Sequence, residues 1–526
     1  MVAAFILKRC PHQLALRRTL TTTSNAGAAH LQPSPQKDHN HHNSIFSAKP
    51  KLAPLRSQRS PAATTLPNIT RPTGKYEVPA STTTLQFRPG GTTDAPLATV
   101  AYNSQAIYIY DDAMAARKIS PIPLRESCIC HLCKDKSSGQ KQYTSVEIPT
   151  NISIANVKVA QNGLAITFNN DIQRYADASH ESLLSWETIN TLLERIEPAR
   201  TSPVWPATAF ERTGVEFWDK DSLSKQIRKI DYDEFMQGNE AMWEAIVDIC
   251  RLGLVFLKNV PRDETSVERI TQRVANIRET FYGRTWDVRA KPDAENVAYT
   301  SGYLGLHQDL LYLHDPPMIQ VLHCMENSCA GGESLFSDGE RVARILLSLA
   351  ANEGDTSSLT QDPVPYEYTK HGYSYRQFRP LVQTTAAGEF VHVFWSPPFQ
   401  GRHESLDSDL KQWLVEAKAF HSLINDESAM WQGKMQPGDC VIFNNMRIMH
   451  GRTAFDAAGG SRWLKGTYIS GDDFLSKACH VPAEIIKKHQ GDELWDTRAA
   501  SRELESSVWY TEAKEKRDAL MSSLRK

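Results

Sequence analysis

Four residues spread over about 155 positions constrain this chain more than anything else in it: His307, Asp309, His450 and Arg462. His307 and Asp309 close the segment Tyr299-Thr-Ser-Gly-Tyr-Leu-Gly-Leu-His307-Gln-Asp309. His450 follows about 140 residues later in Asn445-Met-Arg-Ile-Met-His450-Gly-Arg, and Arg462 lies just beyond it. Two imidazoles and one carboxylate can hold one face of an Fe(II) ion and leave the other face open for O2 and an organic co-substrate. One intervening residue puts His307 and Asp309 on the same face of a strand end. His450 must then arrive on another strand facing the same cavity. Taken singly, these are as easily ordinary structural histidines and an aspartate; the ordered set is what points to iron.

Arg462, in Gly-Gly-Ser-Arg462-Trp-Leu-Lys-Gly-Thr-Tyr468, is the candidate anchor for the distal carboxylate of 2-oxoglutarate. A guanidinium gives two parallel charge-assisted hydrogen bonds that a Lys does not match. Ser334, after Gly331-Gly332-Glu, is a second candidate contact for that co-substrate. In isolation Arg462 would read as a bland surface arginine.

The chain has 526 residues, 40% of them hydrophobic and 23% charged, with a net charge of −2. That composition fits a soluble globular protein of two or three domains. No apolar run approaches the roughly 18 residues needed to cross a bilayer, and neither a membrane nor a nucleic-acid partner is expected. The first 37 residues lack Asp and Glu but carry Lys8, Arg9, Arg17 and Arg18 before a Thr/Ser run. Residues 1–30 therefore read as a mitochondrial transit peptide, with a cytoplasmic location as the alternative. Residues 31–90, rich in Pro, Ser, Thr, His and Asn, read as a disordered low-complexity segment.

Ordered structure is expected in two parts. Residues 95–195 carry strand-like runs at 97–102, 106–110, 143–148, 154–159 and 164–168, then a helix at 185–196, and read as a small β-rich domain. Residues 197–225 read as a connector. From 225 to 526, helical spacing at 232–252 and 267–282 and short strands at 253–258, 318–324, 333–336, 390–394, 439–443 and 463–469 predict a mainly β domain. Its helices lie at the flanks, including an insert at 410–423 and C-terminal helices. Many short strands with flanking helices predict a jelly-roll, or double-stranded β-helix, barrel.

Cys128, Cys130 and Cys133 fall within six positions of a chain with nine cysteines. Three thiolates this close suit tetrahedral Zn(II) and require a fourth ligand; free buried cysteines are the alternative. Four protein ligands would leave no open position, so such a site would be structural.

The region from Phe281 onward resembles the gamma-butyrobetaine dioxygenase and trimethyllysine dioxygenase family of Fe(II)/2-oxoglutarate oxygenases, which are TauD/TfdA-like. The matching pieces are Phe281-Tyr-Gly-Arg-Thr-Trp286, Asn296-Val-Ala-Tyr299-Thr-Ser-Gly, His307-Gln-Asp309, Gln320-Val-Leu-His-Cys, Gly331-Gly332-Glu-Ser, His450-Gly-Arg and Arg462-x-Leu-x-Gly-x-Tyr468. The resemblance covers about residues 100–190 and 230–480, and the gamma-butyrobetaine branch is the more similar. It implies a fourth zinc ligand at His180 and an aromatic cage for a trimethylammonium group from Tyr282, Trp286, Tyr299 and Tyr468. A quaternary nitrogen cannot donate a hydrogen bond, so it is recognised by π faces, each contributing about 0.5–2 kcal/mol. The resemblance further implies Asn296 on the substrate carboxylate, a homodimer, ascorbate as an accessory reductant, and hydroxylation of gamma-butyrobetaine to L-carnitine with release of succinate and CO2.

The chain departs from that family's pattern in two places. Phe394-Trp-Ser-Pro-Pro-Phe-Gln-Gly-Arg402 stands where the family carries an asparagine-rich segment, and Gln308 stands between the candidate ligands where Thr is common. Both leave the carboxylate end of the substrate open. The rival readings are a trimethyllysine dioxygenase, a paralogue acting on another small substrate, and a zinc-bearing binding protein without catalysis.

Overall fold

A computed structural model describes residues 78–524, apart from 88–97, 111–115, 161, 179, 195–206, 290–299, 355–356, 387, 405–406 and 491–501. Residues 1–77, and also Asn296 and Tyr299, lie outside the described residues. The end of the segment expected to be disordered instead holds the strand Thr83–Phe87, whose backbone is satisfied by antiparallel pairing with Ala98–Asn103. Val78–Lys526 form one compact unit. Within it, the buried apolar clusters made of residues before 195 share no member with those made of residues after 206.

The first part holds a four-stranded sheet (Thr83–Phe87, Ala98–Asn103, Ala106–Tyr110, Ala116–Ile119) and a three-stranded one (Ser153–Ala160, Gly163–Asn169, Ser182–Ser185). Both are antiparallel. Residues 143–148, expected as a strand, instead contain a 3-10 turn at Ser145–Glu147. Thr144 and Glu147 form a reciprocal capping box there, and this local pairing outcompetes a ladder for the same backbone groups.

The second part is built on two facing sheets. The larger has the order Trp286–Arg289, Arg462–Ile469, Ile319–Asn327, Cys440–Asn444, Leu254–Lys258, Lys229–Asp231. Its pairs are antiparallel except the last. The smaller has the order Leu304–His307, Ile448–Arg452, Ser334–Asp338, Trp431–Gly433. Phe336 of the smaller sheet packs edge-on against Phe256 and Phe443 of the larger, at 6.2 and 5.5 Å between ring centroids. Cys440–Asn444 and Ser334–Asp338 are buried along their whole length, as strands covered on both faces must be.

Two helices depart from the sequence reading. The 232–252 stretch is split at Gly238 into Tyr232–Gln237 and Asn239–Arg251. The helix at 267–282 ends at Val274, where its buried series Val267, Ile270, Thr271, Val274 stops. Arg278 then gives its backbone N–H to the Tyr468 carbonyl, which draws the chain onto the large sheet. The connector holds two short helices, Ala207–Thr213 and Lys220–Gln226. The latter is N-capped by Asp219, whose side chain accepts from the Ser222 N–H.

The turn between Cys440–Asn444 and Ile448–Arg452 positions the distal histidine. Arg447 is buried there and pairs with the buried Asp338, Nη2 to Oδ2 at 2.6 Å and Nε to Oδ1 at 3.2 Å. It also donates to the carbonyls of Arg251 and Glu216. The bracket ties both sheets to the helix before Leu254–Lys258.

Candidate active site

His307 ends its strand, and His450 lies directly across from it on Ile448–Arg452 as a Cα partner. Their rings lie 4.3 Å apart between centroids. Asp309 completes the group, with Oδ1 3.4 Å from His307 Nε2 and Oδ2 3.9 Å from His450 Nε2. One ligand atom from each lies within 4.8 Å of the others.

Strand alternation does not place Asp309, because the strand stops at His307. A polar bracket does so instead. Asn445 Oδ1 accepts the Asp309 N–H at 2.8 Å, and its Nδ2 donates to the carbonyls of Asp309 and Pro317 at 3.1 and 3.0 Å. Gln308, fully buried, donates to the carbonyls of Val393 and Asn445 and accepts from Trp395 N. Leu310 then turns the chain at φ +61°, a conformation costing a bulky residue about 1–3 kcal/mol. Asn445→Ala is expected to lower metal affinity about tenfold to a hundredfold, read as the Fe(II) concentration giving half-maximal activity; an unchanged value would place the support for Asp309 elsewhere.

The protonation states suit a metal. His307 Nδ1 donates to the Gly305 carbonyl at 2.9 Å, which sets the ring with Nε2 toward Asp309. Burial, with His307 beside it, pushes His450 down to about 3, so its imidazole is neutral near pH 7. Burial pulls Asp309 upward, but the hydrogen bonds from His307 and the Tyr468 hydroxyl outweigh it and hold the carboxyl below the usual range. Two imidazoles and a carboxylate are the donor set a divalent iron takes.

One cavity joins these residues to Arg462, Arg452, Ser334, Trp286, Tyr282, Tyr468, Tyr312 and Phe399. Arg462 is buried, its Nε has no partner, and burial lowers its pKa. The Gly331-Gly332 pair makes room for it: a Cβ on Gly332 would sit 3.1 Å from Arg462 Cδ, and one on Gly331 would sit 2.2 Å from the Ala454 carbonyl oxygen. Ser334 is buried at the start of its strand, opposite Arg452.

The aromatic residues form a wall more than a box. Trp286 stacks on Tyr468 at 4.0 Å and 20°, and its indole lies over Gly466, where a Cβ would come within 2.5 Å of it. Tyr282 stands 6.4 Å from Trp286. The Tyr468 hydroxyl donates to Asp309 Oδ2 at 2.8 Å, so the stack is fastened to a candidate metal ligand. Tyr312 and Phe399, which sequence reasoning did not single out, add to the cavity edge-on at 5.1 Å. Phe399 belongs to the divergent 394–402 segment, so that departure reaches the cavity itself. Trp395 and Ser396 of the same segment hold Gln308.

With this geometry in hand, comparison with known proteins is decisive. The profile of the Taurine catabolism dioxygenase TauD, TfdA family matches residues 218–468. Dioxygenase str8 of Strobilurus tenacellus is 33% identical over 369 residues, covering 67% of this chain and 82% of that one. The chain belongs to the TauD/TfdA family. Two further family relatives are trimethyllysine dioxygenase of Meyerozyma guilliermondii (27% over 395 residues) and gamma-butyrobetaine dioxygenase of a Pseudomonas species (26% over 393 residues). Each alignment covers 73% of this chain and 95% of the relative. This TauD/TfdA protein is a 2-oxoglutarate-dependent dioxygenase, and Fe(II), 2-oxoglutarate and O2 are its reaction partners.

A second cluster lies in the first part of the chain. His180 Nε2 is 3.7, 3.3 and 3.3 Å from the sulfurs of Cys128, Cys130 and Cys133. Zn–S and Zn–N bonds near 2.3 and 2.0 Å give a tetrahedral S···N edge of about 3.5 Å, so the donor set is compatible with zinc. His131 is exposed. His180 Nδ1 donates to Asp171 Oδ2 at 2.7 Å, which orients the ring. Fully buried Arg125 bridges Asp171 and Cys133. Tyr175 stacks on His180 at 5.2 Å.

Proposed function

We propose that this dioxygenase hydroxylates a small trimethylammonium substrate, with gamma-butyrobetaine as the first candidate, and that His307, Asp309 and His450 hold the iron. The observation that carries the proposal is the fastening of the Trp286–Tyr468 stack to Asp309. It sets π faces beside the reacting centre, where a permanently charged nitrogen is stabilised without hydrogen bonds. When bound, iron and 2-oxoglutarate supply O2 activation, with decarboxylation to succinate and CO2 and one oxygen atom delivered to the substrate.

The chain's own groups do the rest. Arg462, with Ser334 lining the same cavity, receives the distal carboxylate of 2-oxoglutarate in a buried setting where a guanidinium–carboxylate pair is strong. Tyr468 keeps Asp309 turned toward the imidazoles. Leu304, Phe399 and Tyr312 exclude water from the reacting atoms. Tyr299 as a further cage wall and Asn296 as partner of the substrate carboxylate enter the proposal on sequence grounds alone. The two facing sheets are read as the halves of a jelly roll, and Cys128, Cys130, Cys133 and His180 as a structural zinc site. A mitochondrial location is proposed from the basic leader, and a relative from rat bears the name trimethyllysine dioxygenase, mitochondrial. Homodimerisation and stimulation by ascorbate complete the proposal.

One feature favours a second reading. Phe399, on the cavity wall, comes from a segment that diverges from the asparagine-rich pattern. An uncharged or differently functionalised substrate would suit that apolar rim. Incubation with gamma-butyrobetaine, trimethyllysine and an uncharged isostere in parallel separates the readings: mass spectrometry should find one added oxygen on a trimethylammonium compound. Oxygen added to the uncharged compound alone would select the second reading. Trp286→Ala should weaken amine binding by about 1–2 kcal/mol and leave 2-oxoglutarate binding nearly unchanged, as isothermal titration would report; equal losses for both would remove the cage.

A further inference from the structure

Arg452 lines the same cavity as His450 and Arg462. It lies two residues beyond His450, is buried, and pairs through its backbone with Leu304 on one side and Ser334 on the other. Its Nη1 donates to the carbonyls of Gly302 and Thr453, and its Nη2 to the carbonyl of Thr300. The Phe455 N–H donates to the Ser301 carbonyl between them. These bonds fasten residues 300–302, which lead directly into Leu304–His307.

That strand needs a fastening. It has four residues, lies at the edge of its sheet, and among the described residues pairs only with Ile448–Arg452, at Leu304 and His307, with an irregularity between them. A ladder so short holds an edge strand weakly, yet the strand carries His307.

The guanidinium also meets charge. Arg452 Nε is buried without a hydrogen-bond partner, and so is Arg462 Nε. Both guanidiniums lie over the ring of Phe455, at 4.8 and 5.6 Å from its centroid. Among the described residues neither is paired with a carboxylate. Two like charges held in one buried place repel, and an anion entering between them relieves both.

We propose that Arg452 is a positioning residue that couples co-substrate binding to the strand carrying His307. The distal carboxylate of 2-oxoglutarate, on reaching Arg462, neutralises the repulsion felt by Arg452 and seats its guanidinium firmly on the carbonyls of Thr300 and Gly302. The inference rests on the co-substrate reading of Arg462 given above. It makes the edge strand tightest when the co-substrate is in place.

The test is hydrogen exchange of the full chain loaded with Mn(II), which supports no turnover, with and without saturating 2-oxoglutarate. Amides 300–306 should exchange about tenfold more slowly with 2-oxoglutarate. 2-Oxobutyrate, which keeps the 2-oxo acid head and lacks the distal carboxylate, should leave them unchanged. In Arg452→Lys the response to 2-oxoglutarate should fall below about twofold, while 2-oxoglutarate still binds. Equal slowing by the two oxo acids in the wild-type protein would overturn the coupling without need of any variant. So would a full response in Arg452→Lys. Failure of the wild-type protein to bind 2-oxoglutarate at all would instead overturn the reading of Arg462, and the coupling with it.

Discussion

Substrate-dependent succinate formation should fall by at least about a thousandfold when His307 is replaced by Ala, equivalent to about 4 kcal/mol in the barrier. Loss of a group that merely supports a metal ligand already lowers affinity or activity tenfold to a hundredfold; loss of a ligand removes one of only three holds on the ion. The folded state should change little, by about 1–2 kcal/mol. His307 is buried and its Nδ1 satisfies only the Gly305 carbonyl. Asp309→Ala should behave alike, with the added loss of the acceptor for the Tyr468 hydroxyl. Thermal unfolding alongside succinate assays checks both. An active His307→Ala enzyme, or an inactive one that no longer folds, would each count against the assignment.

The second large effect is expected at the sulfur cluster. Cys130→Ser should lower zinc content from one equivalent per chain toward none and destabilise this part of the protein by at least about 4 kcal/mol. Without the ion, the sulfurs of Cys128 and Cys133 and the His180 ring are left packed together, with the buried charge of Arg125 beside them. The 2-oxoglutarate chemistry should respond only through stability. Atomic absorption and calorimetry provide the readout. Unchanged zinc content would remove the site, and unchanged stability would remove its structural role.

The strand at 440–444 was legible because Cys440-Val-Ile-Phe443 is a short apolar run that follows the turn Gln436-Pro-Gly438-Asp439. His-x-Asp was legible as chemistry, yet its geometry rests on Asn445 and Gln308, whose amides carry no motif of their own. Only the three-dimensional arrangement shows that they bracket Asp309. Tyr312 and Phe399 were missed for a related reason: an aromatic residue in sequence does not disclose whether it faces a core or a cavity. The 143–148 segment misled because a capping box and a strand draw on the same polar residues. The helix at 266–274 was read too long because periodicity cannot foresee that Arg278 bonds to Tyr468 across the sheet.

The account depends most on one cation. Anaerobic crystals of the full chain grown with Fe(II) and 2-oxoglutarate should show a single iron, confirmed by anomalous scattering, bound by His307 Nε2, His450 Nε2 and a carboxylate oxygen of Asp309, with the 2-oxo acid opposite and its far carboxylate at Arg462. Iron bound elsewhere, or these three side chains turned away from a common centre, would contradict it.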